Sequence, residues 1–225
     1  MNRVLVIPAG GYGRRMGAGI PKQFLSLNGK TVLGVTLERL ASFGLFERII
    51  VVVPKEHTAR TESITAPIST PTIVVEGGKN RRESVMKGLL TLEDFSPQLV
   101  VIHDGVRPLV SKRVVADVIQ AAQESGAATV AVSAIDTIAV VKHNQLVSQP
   151  DRKTMYHVQT PQAFHYQLLL EAHRTVKKRV TDDAGLVLAS GHDVAIVEGV
   201  QDNIKITAPK DLMLAELFLK NGYLQ

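Results

Sequence analysis

Cysteine and tryptophan are both absent from this 225-residue chain, and aromatic residues make up only 4% of it. Without thiols there is no disulfide framework, no thiolate metal or iron–sulfur site, and no cysteine nucleophile. With so few aromatics, stacking platforms for single-stranded nucleic acid are poorly supplied. Long apolar runs are missing too. No stretch approaches the ~18 consecutive apolar residues of a membrane-spanning helix. The opening stretch, Met1 to Pro8, leads into glycines before it is long enough to serve as a secretory signal. The expectation is a cytoplasmic protein with neither a membrane nor a nucleic-acid partner.

Charge of one sign is also scarce. Lys and Arg number 26 against 21 Asp and Glu, a formal net charge of +5. The basic residues are spread in small groups: Arg14-Arg15, Lys79 to Arg82, Lys112-Arg113, Arg152-Lys153 and Lys177-Lys178-Arg179. A small anionic ligand suits this balance better than a polyanion. Hydrophobic residues at 45% and charged ones at 21% are ordinary globular usage, sufficient for a sizeable core.

No repeat, low-complexity tract or linker divides the chain, which predicts a single domain over residues 1–225. Short β-branched runs at residues 4–7, 48–53, 72–75, 99–103, 128–133 and 194–197 read as strands, mostly apolar and buried on both faces. Between them, residues 31–43, 81–92, 111–123, 165–177 and 211–219 carry apolar residues at helical spacing, with Ser111 as an N-cap and Gly126 just past that helix's end. This alternation predicts an α/β fold: a Rossmann-like three-layer sandwich around a mostly parallel sheet. Residues 136–159 break the rhythm, with extended pieces around a polar turn at His143-Asn144 and no helix. They predict a projecting β-hairpin arm. So small a hairpin must pack on something, either a second subunit or its own chain.

The first strand runs into Pro8-Ala9-Gly10-Gly11-Tyr12-Gly13-Arg14-Arg15-Met16-Gly17. A glycine-rich turn at the carboxyl edge of a parallel sheet lets backbone N–H groups approach phosphate oxygens. It is not a dinucleotide fingerprint, because Met16 occupies the last glycine position. It is not a P-loop either, since the first glycine of that motif would fall on Phe24. A structural turn explains the glycines alone, but not why Arg14, Arg15, Lys22 and Gln23 crowd the same segment.

Ala9-Gly10-Gly11-x-Gly13-x-Arg15-Met16, followed by Pro21-Lys22-Gln23-Phe24-Leu25, resembles the signature of the sugar- and alditol-phosphate nucleotidyltransferases, and most of all the cytidylyltransferases acting on 2-C-methyl-D-erythritol 4-phosphate. The resemblance continues in order through Gly77-Gly78-x-x-Arg81-x-x-Ser84-Val85, His103-Asp104-x-x-Arg107-Pro108, Asp136-Thr137, Gln159-Thr160-Pro161-Gln162-x-Phe164, Thr181-Asp182-Asp183-Ala184 and Asn203-Ile204-Lys205-Ile206-Thr207. It implies transfer of CMP from CTP to a polyol phosphate, Mg²⁺ or another divalent cation bound mainly through the CTP phosphates, and a homodimer joined through the arm.

The same resemblance implies roles for particular residues. Arg15 and Lys22 would stabilise the transition state at the CTP phosphates, and Arg152 and Lys205 would position the acceptor phosphate. Pro8, Ala9, Gly10, Gly11 and Gly13 would cradle ribose and phosphates, with Gly78 and Ser84 at the cytosine. Asp104 would lie near both ribose and acceptor. Arg107, Thr137 and Thr160 would complete the acceptor site, Thr137 and Arg152 arriving on the partner's arm. The metal's ligands are left open.

The chemistry agrees on independent grounds. A phosphate monoester has its second pKa near ~6, so the nucleophile is already largely dianionic at neutral pH and needs no general base. The protein must hold two anions in line and neutralise the charge that develops, which fixed cations do. Lys205 also carries information of its own, as a cation interrupting what reads as an Ile204-x-Ile206 strand. His103, ending an apolar strand, reads as a packed histidine. Thr181-Asp182-Asp183 reads as a helix N-terminus capped by Thr181, with a lesser alternative at the acceptor hydroxyls. Three rival functions remain: the same reaction on ribitol 5-phosphate, a non-catalytic nucleotide-binding regulator, and a Rossmann oxidoreductase, the last disfavoured by Met16.

Overall fold

The computed structural model describes residues 2–11 and 20–222. In chain order the elements are β1 (Arg3–Pro8), β2 (Ser26–Leu27), β3 (Lys30–Thr31), α1 (Val32–Ser42), β4 (Arg48–Val53), α2 (Thr58–Thr65), β5 (Thr72–Glu76), α3 (Arg81–Leu90), β6 (Leu99–Ile102), α4 (Lys112–Ser125), β7 (Ala127–Ser133), β8 (Val140–Lys142), β9 (Gln145–Ser148), β10 (Tyr156–His165), α5 (Tyr166–Thr175), α6 (Asp183–Ala189), β11 (Ala195–Glu198) and α7 (Pro209–Lys220). Seven strands form one sheet in the order β11-β7-β10-β6-β1-β4-β5. Every pairing is parallel except those of β10, which runs antiparallel to both β6 and β7.

The strand period of two builds the layers. Leu5, Ile7, Ile49, Val51 and Val101 face one side, packed with Leu33, Leu37 and Leu40 of α1 and Val114, Val118 and Ile119 of α4. Val4, Val6, Ile50, Val52 and Val100 face the other, against Val85 and Leu89 of α3, Tyr166 and Leu169 of α5, and Leu186 of α6. The expected three-layer α/β sandwich is therefore present. Double burial holds for the central strands β4 and β6, whereas the edge strands β5 and β11 are partly exposed. The α4 boundaries also hold: Ser111 accepts from the Val114 amide at 3.3 Å, and Gly126 closes the helix at φ 84°.

Four elements escaped the sequence pattern. The short β2–β3 ladder and α2 are too small or too polar to show a period. At α6, whose N-terminus the sequence did mark, only the cap differs: it is Asp182, whose carboxylate accepts from Gly185, and not Thr181. The fourth is β10. Only residues 156–159 were expected to be extended, yet the strand continues to His165 through the middle of the sheet. Pro161 hides it, because proline cannot donate to a ladder. The register shift between Val158 and Gln162 accommodates that defect as a bulge. A further correction concerns Lys205. Residues 204–206 form an irregular segment, not a strand, tied down where the Ile206 amide donates to Val106 at 2.9 Å.

The arm is present as an exposed hairpin of β8 and β9. His143 and Asn144 turn it with φ of 50° and 60°, the left-handed pair that matches strand twist in a two-residue turn. A 3₁₀ turn at Arg152–Thr154, not anticipated, follows it. No described helix is long and apolar enough to cross a membrane.

Candidate active site

The connection from β1 leads to β4 and β5 on one side, while β6 lies on the other. At such a reversal the loops beyond the strand ends part and leave a crevice. A cavity of about 730 Å³ opens there, lined by Pro8, Ala9, Gly10 and Gly11 after β1, Pro54 after β4, Gly77 to Arg81 after β5, and Asp104 after β6. Lys22, Gln23, Ser84, Val106 and Lys205 complete it. The volume falls within the range of small-molecule sites.

Local chemistry fixes each wall. After Pro21, Lys22–Phe24 form a single 3₁₀ turn in which Gln23 and Phe24 are buried. The Gln23 amide donates to the Ala9 carbonyl at 2.7 Å, which pins the start of the glycine-rich loop. Lys22, immediately before these anchors, is held at the lip, and its Nζ donates to the Ile206 carbonyl at 3.0 Å. On the opposite wall Ser84 is buried in α3. Its hydroxyl accepts from the Gly78 amide at 3.1 Å and donates to the Asn80 carbonyl at 2.9 Å. Ser84 therefore shapes the Gly77–Asn80 loop. The tightness of that loop requires glycine at 78, where a Cβ would lie 2.3 Å from Glu83 Cβ.

Asp104 is the electrostatic centre. Its Oδ2 lies 2.8 Å from Lys205 Nζ and 3.3 Å from Arg107 Nε, and its Oδ1 lies 3.7 Å from Arg81 Nε. Burial works to raise the Asp104 pKa, but Lys205, Arg81 and Arg107 outweigh it and hold the carboxyl well below the usual carboxylate range. Its backbone N–H donates to the Thr160 hydroxyl at 3.0 Å. Arg107 also donates to the Asn203 carbonyl at 2.7 Å, and the Asn203 amide donates to the Thr160 carbonyl at 2.8 Å. These bonds join the loop after β6, the β10 bulge and the segment before α7 into one rigid wall.

Against that wall lies a second cavity of about 220 Å³, lined by Arg107, Val158, Gln159, Thr160 and Gln162 together with Arg81, Asp104 and Lys205. The last three line the first cavity as well. Two anions seated side by side would meet at this shared wall of two cations and one carboxylate. The buried carboxylate recruits cations and keeps them in place, an economical way to keep several positive side chains convergent before any ligand arrives.

Of the site residues expected from sequence, Pro8, Ala9, Gly10, Gly11, Lys22, Gly78, Ser84, Asp104 and Lys205 line the larger cavity, and Arg107 and Thr160 the smaller. Gly13 and Arg15 lie outside the described residues. Thr137 and Arg152 are exposed on the arm and line neither cavity of their own chain; Arg152 donates to the Ile135 carbonyl at 2.6 Å. Arg81 was missed as a site residue. Its signal was its place in the Gly77-Gly78-x-x-Arg81 block, one residue after the Asn80 that caps α3.

His103 behaves as a packed histidine, completely buried with Nε2 against the Arg107 carbonyl at 3.1 Å. Burial pushes its imidazole from 6.5 down to about 4. The unfolded chain therefore takes up this proton first on acidification. The stability it represents is full above the unfolded value of 6.5 and is lost as pH falls towards 4, about 3 kcal/mol across the window. Denaturant unfolding at pH 7 and about pH 4.5 should show a shallower loss for His103→Gln than for the wild type. Equal losses would assign that limb to other groups.

Comparison with known proteins places this geometry. The chain matches the family model of 2-C-methyl-D-erythritol 4-phosphate cytidylyltransferase over residues 3–221. It is 44% identical to the enzyme of that name from Syntrophus aciditrophicus, covering 96% of this chain and 95% of the relative, and 39% identical to that of Bacillus cereus, covering 96% of each. Among solved structures, the 4-diphosphocytidyl-2C-methyl-D-erythritol synthase of Anaerococcus prevotii superposes with a TM-score of 0.86 at 28% identity, covering 97% of this chain and 98% of that one. The cytidylyltransferase of Thermus thermophilus gives 0.80 at 36% identity, covering 98% and 100%.

Proposed function

The chain belongs to the 2-C-methyl-D-erythritol 4-phosphate cytidylyltransferase family, and from that membership we propose how its residues carry out the reaction. The activity is transfer of CMP from CTP to 2-C-methyl-D-erythritol 4-phosphate, giving 4-diphosphocytidyl-2-C-methyl-D-erythritol and pyrophosphate for isoprenoid synthesis. An oxygen of the acceptor phosphate attacks the α-phosphorus. The bond from that phosphorus to the β-phosphate oxygen breaks, and pyrophosphate leaves with the electron pair. The observation that carries the assignment of the site is the wall of Arg81, Asp104 and Lys205 common to both cavities.

CTP occupies the larger cavity, its pyrimidine against the Gly77–Ser84 wall and its phosphates between the glycine-rich loop and Lys22. Pro8 and Ala9 shape the floor beneath the ribose, Gly10 and Gly11, continued by Gly13, are assigned the backbone contacts to ribose and phosphates, and Arg15 is assigned with Lys22 to the transition state. Lys22 is a compact point charge that can follow the developing charge on the phosphate oxygens. The acceptor phosphate occupies the smaller cavity, beside Lys205, Arg107 and Thr160. Asp104 keeps Lys205 extended into the cleft while the attacking oxygen arrives.

Mg²⁺ or another divalent cation fits this site as a partner of the CTP phosphates. Asp104 is the one carboxylate lining the larger cavity among the described residues, and no cluster of three ligating side chains occurs among them. Magnesium keeps most of its waters and needs no more than one or two protein carboxylates, so Asp104 would suffice to hold it beside the CTP phosphates, where it would supply positive charge to the leaving pyrophosphate.

The arm completes the assembly. Val140, Val141, Leu146 and Val147 are all exposed on it, an apolar load too large for a hairpin with nothing beneath it. We assign residues 136–159 as the dimerisation arm of one domain spanning the chain. It delivers Thr137 and Arg152 to the acceptor cavity of a second copy in a cytoplasmic homodimer.

Pyrophosphate release with CTP and each of two acceptors tests the substrate. Methylerythritol phosphate should be turned over far faster than ribitol 5-phosphate. The reverse order would reassign the acceptor, and no release with either would remove the enzyme reading.

A further inference from the structure

Behind the cleft lies a buried pair, His173 and Asp183, to which the reaction described so far gives no part. His173 on α5 and Asp183 at the start of α6 have side chains only 1% and 2% exposed, and His173 Nε2 lies 3.1 Å from Asp183 Oδ1. The other carboxylate oxygen, Oδ2, accepts from Arg81 Nη1 at 2.7 Å. Arg81 is the first residue of α3, and its Nε lies 3.7 Å from Asp104 at the reaction centre. A buried line of side chains thus runs from the outer helix layer to the wall shared by the two substrate cavities, and Arg81 is where it emerges.

Asp183 itself is held in place. Asp182 caps the helix by accepting from the Gly185 amide at 3.0 Å, and Gln162 of β10 donates to the other Asp182 oxygen at 2.8 Å while accepting from the Ala184 amide at 3.1 Å. Burial alone would raise the Asp183 pKa, but Arg81 and His173 hold it below its ordinary value, so the carboxylate is anionic at neutral pH.

Stability does not explain the arrangement. A buried ion pair is commonly no better for folding than apolar side chains of the same volume, because desolvation consumes the Coulombic gain. An arginine hydrogen-bonded at Nη1 and drawn at Nε by the charge of Asp104 has, by contrast, given up much of its rotamer freedom before substrate binds, which is what a reaction between two mutually repelling anions requires. We propose that Asp183, fixed by His173, is a positioning residue that holds the Arg81 guanidinium at the junction of the nucleotide and acceptor cavities. This rests on the assignment of those cavities to CTP and the acceptor phosphate. Without the pull from Asp183, Arg81 closes on Asp104 and competes there with Lys205 and Arg107, or folds onto the CTP phosphates. Either outcome leaves CTP binding largely intact and spoils the alignment of the reacting groups.

The test is steady-state kinetics of the full-length protein with CTP and methylerythritol phosphate, for wild type, Asp183→Asn, Arg81→Ala, the double variant, His173→Gln and His173→Leu, each checked for folding by thermal unfolding. Asp183→Asn should lower kcat by roughly 10–100-fold with the KM for CTP within about 3-fold, the scale of an Å-level misplacement. In the Arg81→Ala background the same change should alter kcat by no more than about 2-fold, because its route of action is gone. His173→Gln, which keeps a donor, should retain more activity than His173→Leu. A kcat for Asp183→Asn within about 2-fold of wild type would overturn the inference, as would effects that multiply in the double variant. Should Asp183→Asn alone fail to fold, the double variant decides, since it removes both members of the pair: kcat equal to that of Arg81→Ala supports the positioning role, and a lower kcat overturns it. Wild-type turnover with insensitive variants sinks this inference alone, whereas absence of wild-type turnover sinks the assignment of the cavities and this inference with it.

Discussion

Lys22→Ala should lower kcat by roughly 10²–10³-fold, the scale for losing one preorganised charge at a developing oxyanion, while the KM for CTP rises only a few-fold. The asymmetry follows from where the side chain is held. Gln23 and Phe24, buried directly after it, fix its backbone, and its Nζ bridges from the glycine-rich loop to the Ile206 carbonyl, the edge of the segment that carries Lys205. A cation held there meets the triphosphate in the ground state through one contact among several backbone donors. As the α-phosphorus becomes five-coordinate, negative charge gathers on its oxygens, and the interaction strengthens where other donors cannot follow. Lys22→Arg should restore little, since a planar fork does not replace a compact ammonium group. A change confined to KM would reduce Lys22 to an anchor for the nucleotide.

Mixing inactive chains should restore activity. If the arm crosses to a second copy, each site draws Lys22 from one chain and Arg152 from the other. In a homodimer of Lys22→Ala chains every site lacks the lysine, and in one of Arg152→Ala chains every site lacks the arginine. A mixed dimer has one site with neither and one with both. Random reassortment makes half the dimers mixed, so about a quarter of all sites should regain wild-type composition under two-fold symmetry. Titration of one variant with the other, following pyrophosphate release after subunit exchange, gives the answer. Each variant alone sets the baseline, and a mixture that never exceeds the sum of its parts would place Arg152 in its own chain's site. Single-chain geometry favours exchange: Arg152 lines neither cavity of its own chain, and the hairpin beside it exposes Leu146 at 61% and Val141 at 58%.

The sandwich was legible because its signals are local. Residues 49–53 are β-branched and apolar at every position after Arg48, the pattern of a strand buried on both faces, and the expected span matches β4 residue for residue. Ser111 and Gly126 mark the ends of α4 by the conformations that hydroxyl caps and a left-handed residue permit. The candidate site at the end of β1 was legible for a similar reason: glycines and cations crowd one stretch of chain, a parallel sheet presents such stretches at its carboxyl edge, and Pro8 to Gly11 line the larger cavity there. β10 was illegible beyond Gln159 because Pro161 and the glutamines beside it mimic a loop. They sit in the middle of the sheet at a bulge, where the Thr160 hydroxyl accepts from the Asp104 backbone N–H. Lys205 lines the cleft, but it stands on an irregular segment and not on the strand its neighbours suggested, and its ammonium is held 2.8 Å from Asp104.

By itself, the order of residues determined that this chain makes an α/β sandwich, that glycines and cations crowd the stretch just after its first strand, and that its family is one of cytidylyl transfer. Which cations converge was decided only in three dimensions. Arg81 and Asp183 stand 102 positions apart, and nothing in either neighbourhood announces the other. Helix and strand periods, caps and turns are fixed by groups within a few residues, so they are written in short stretches of sequence. An ion pair between distant segments depends on how the sheet orders its strands and on which side each helix crosses, and those choices exist only once the layers have packed.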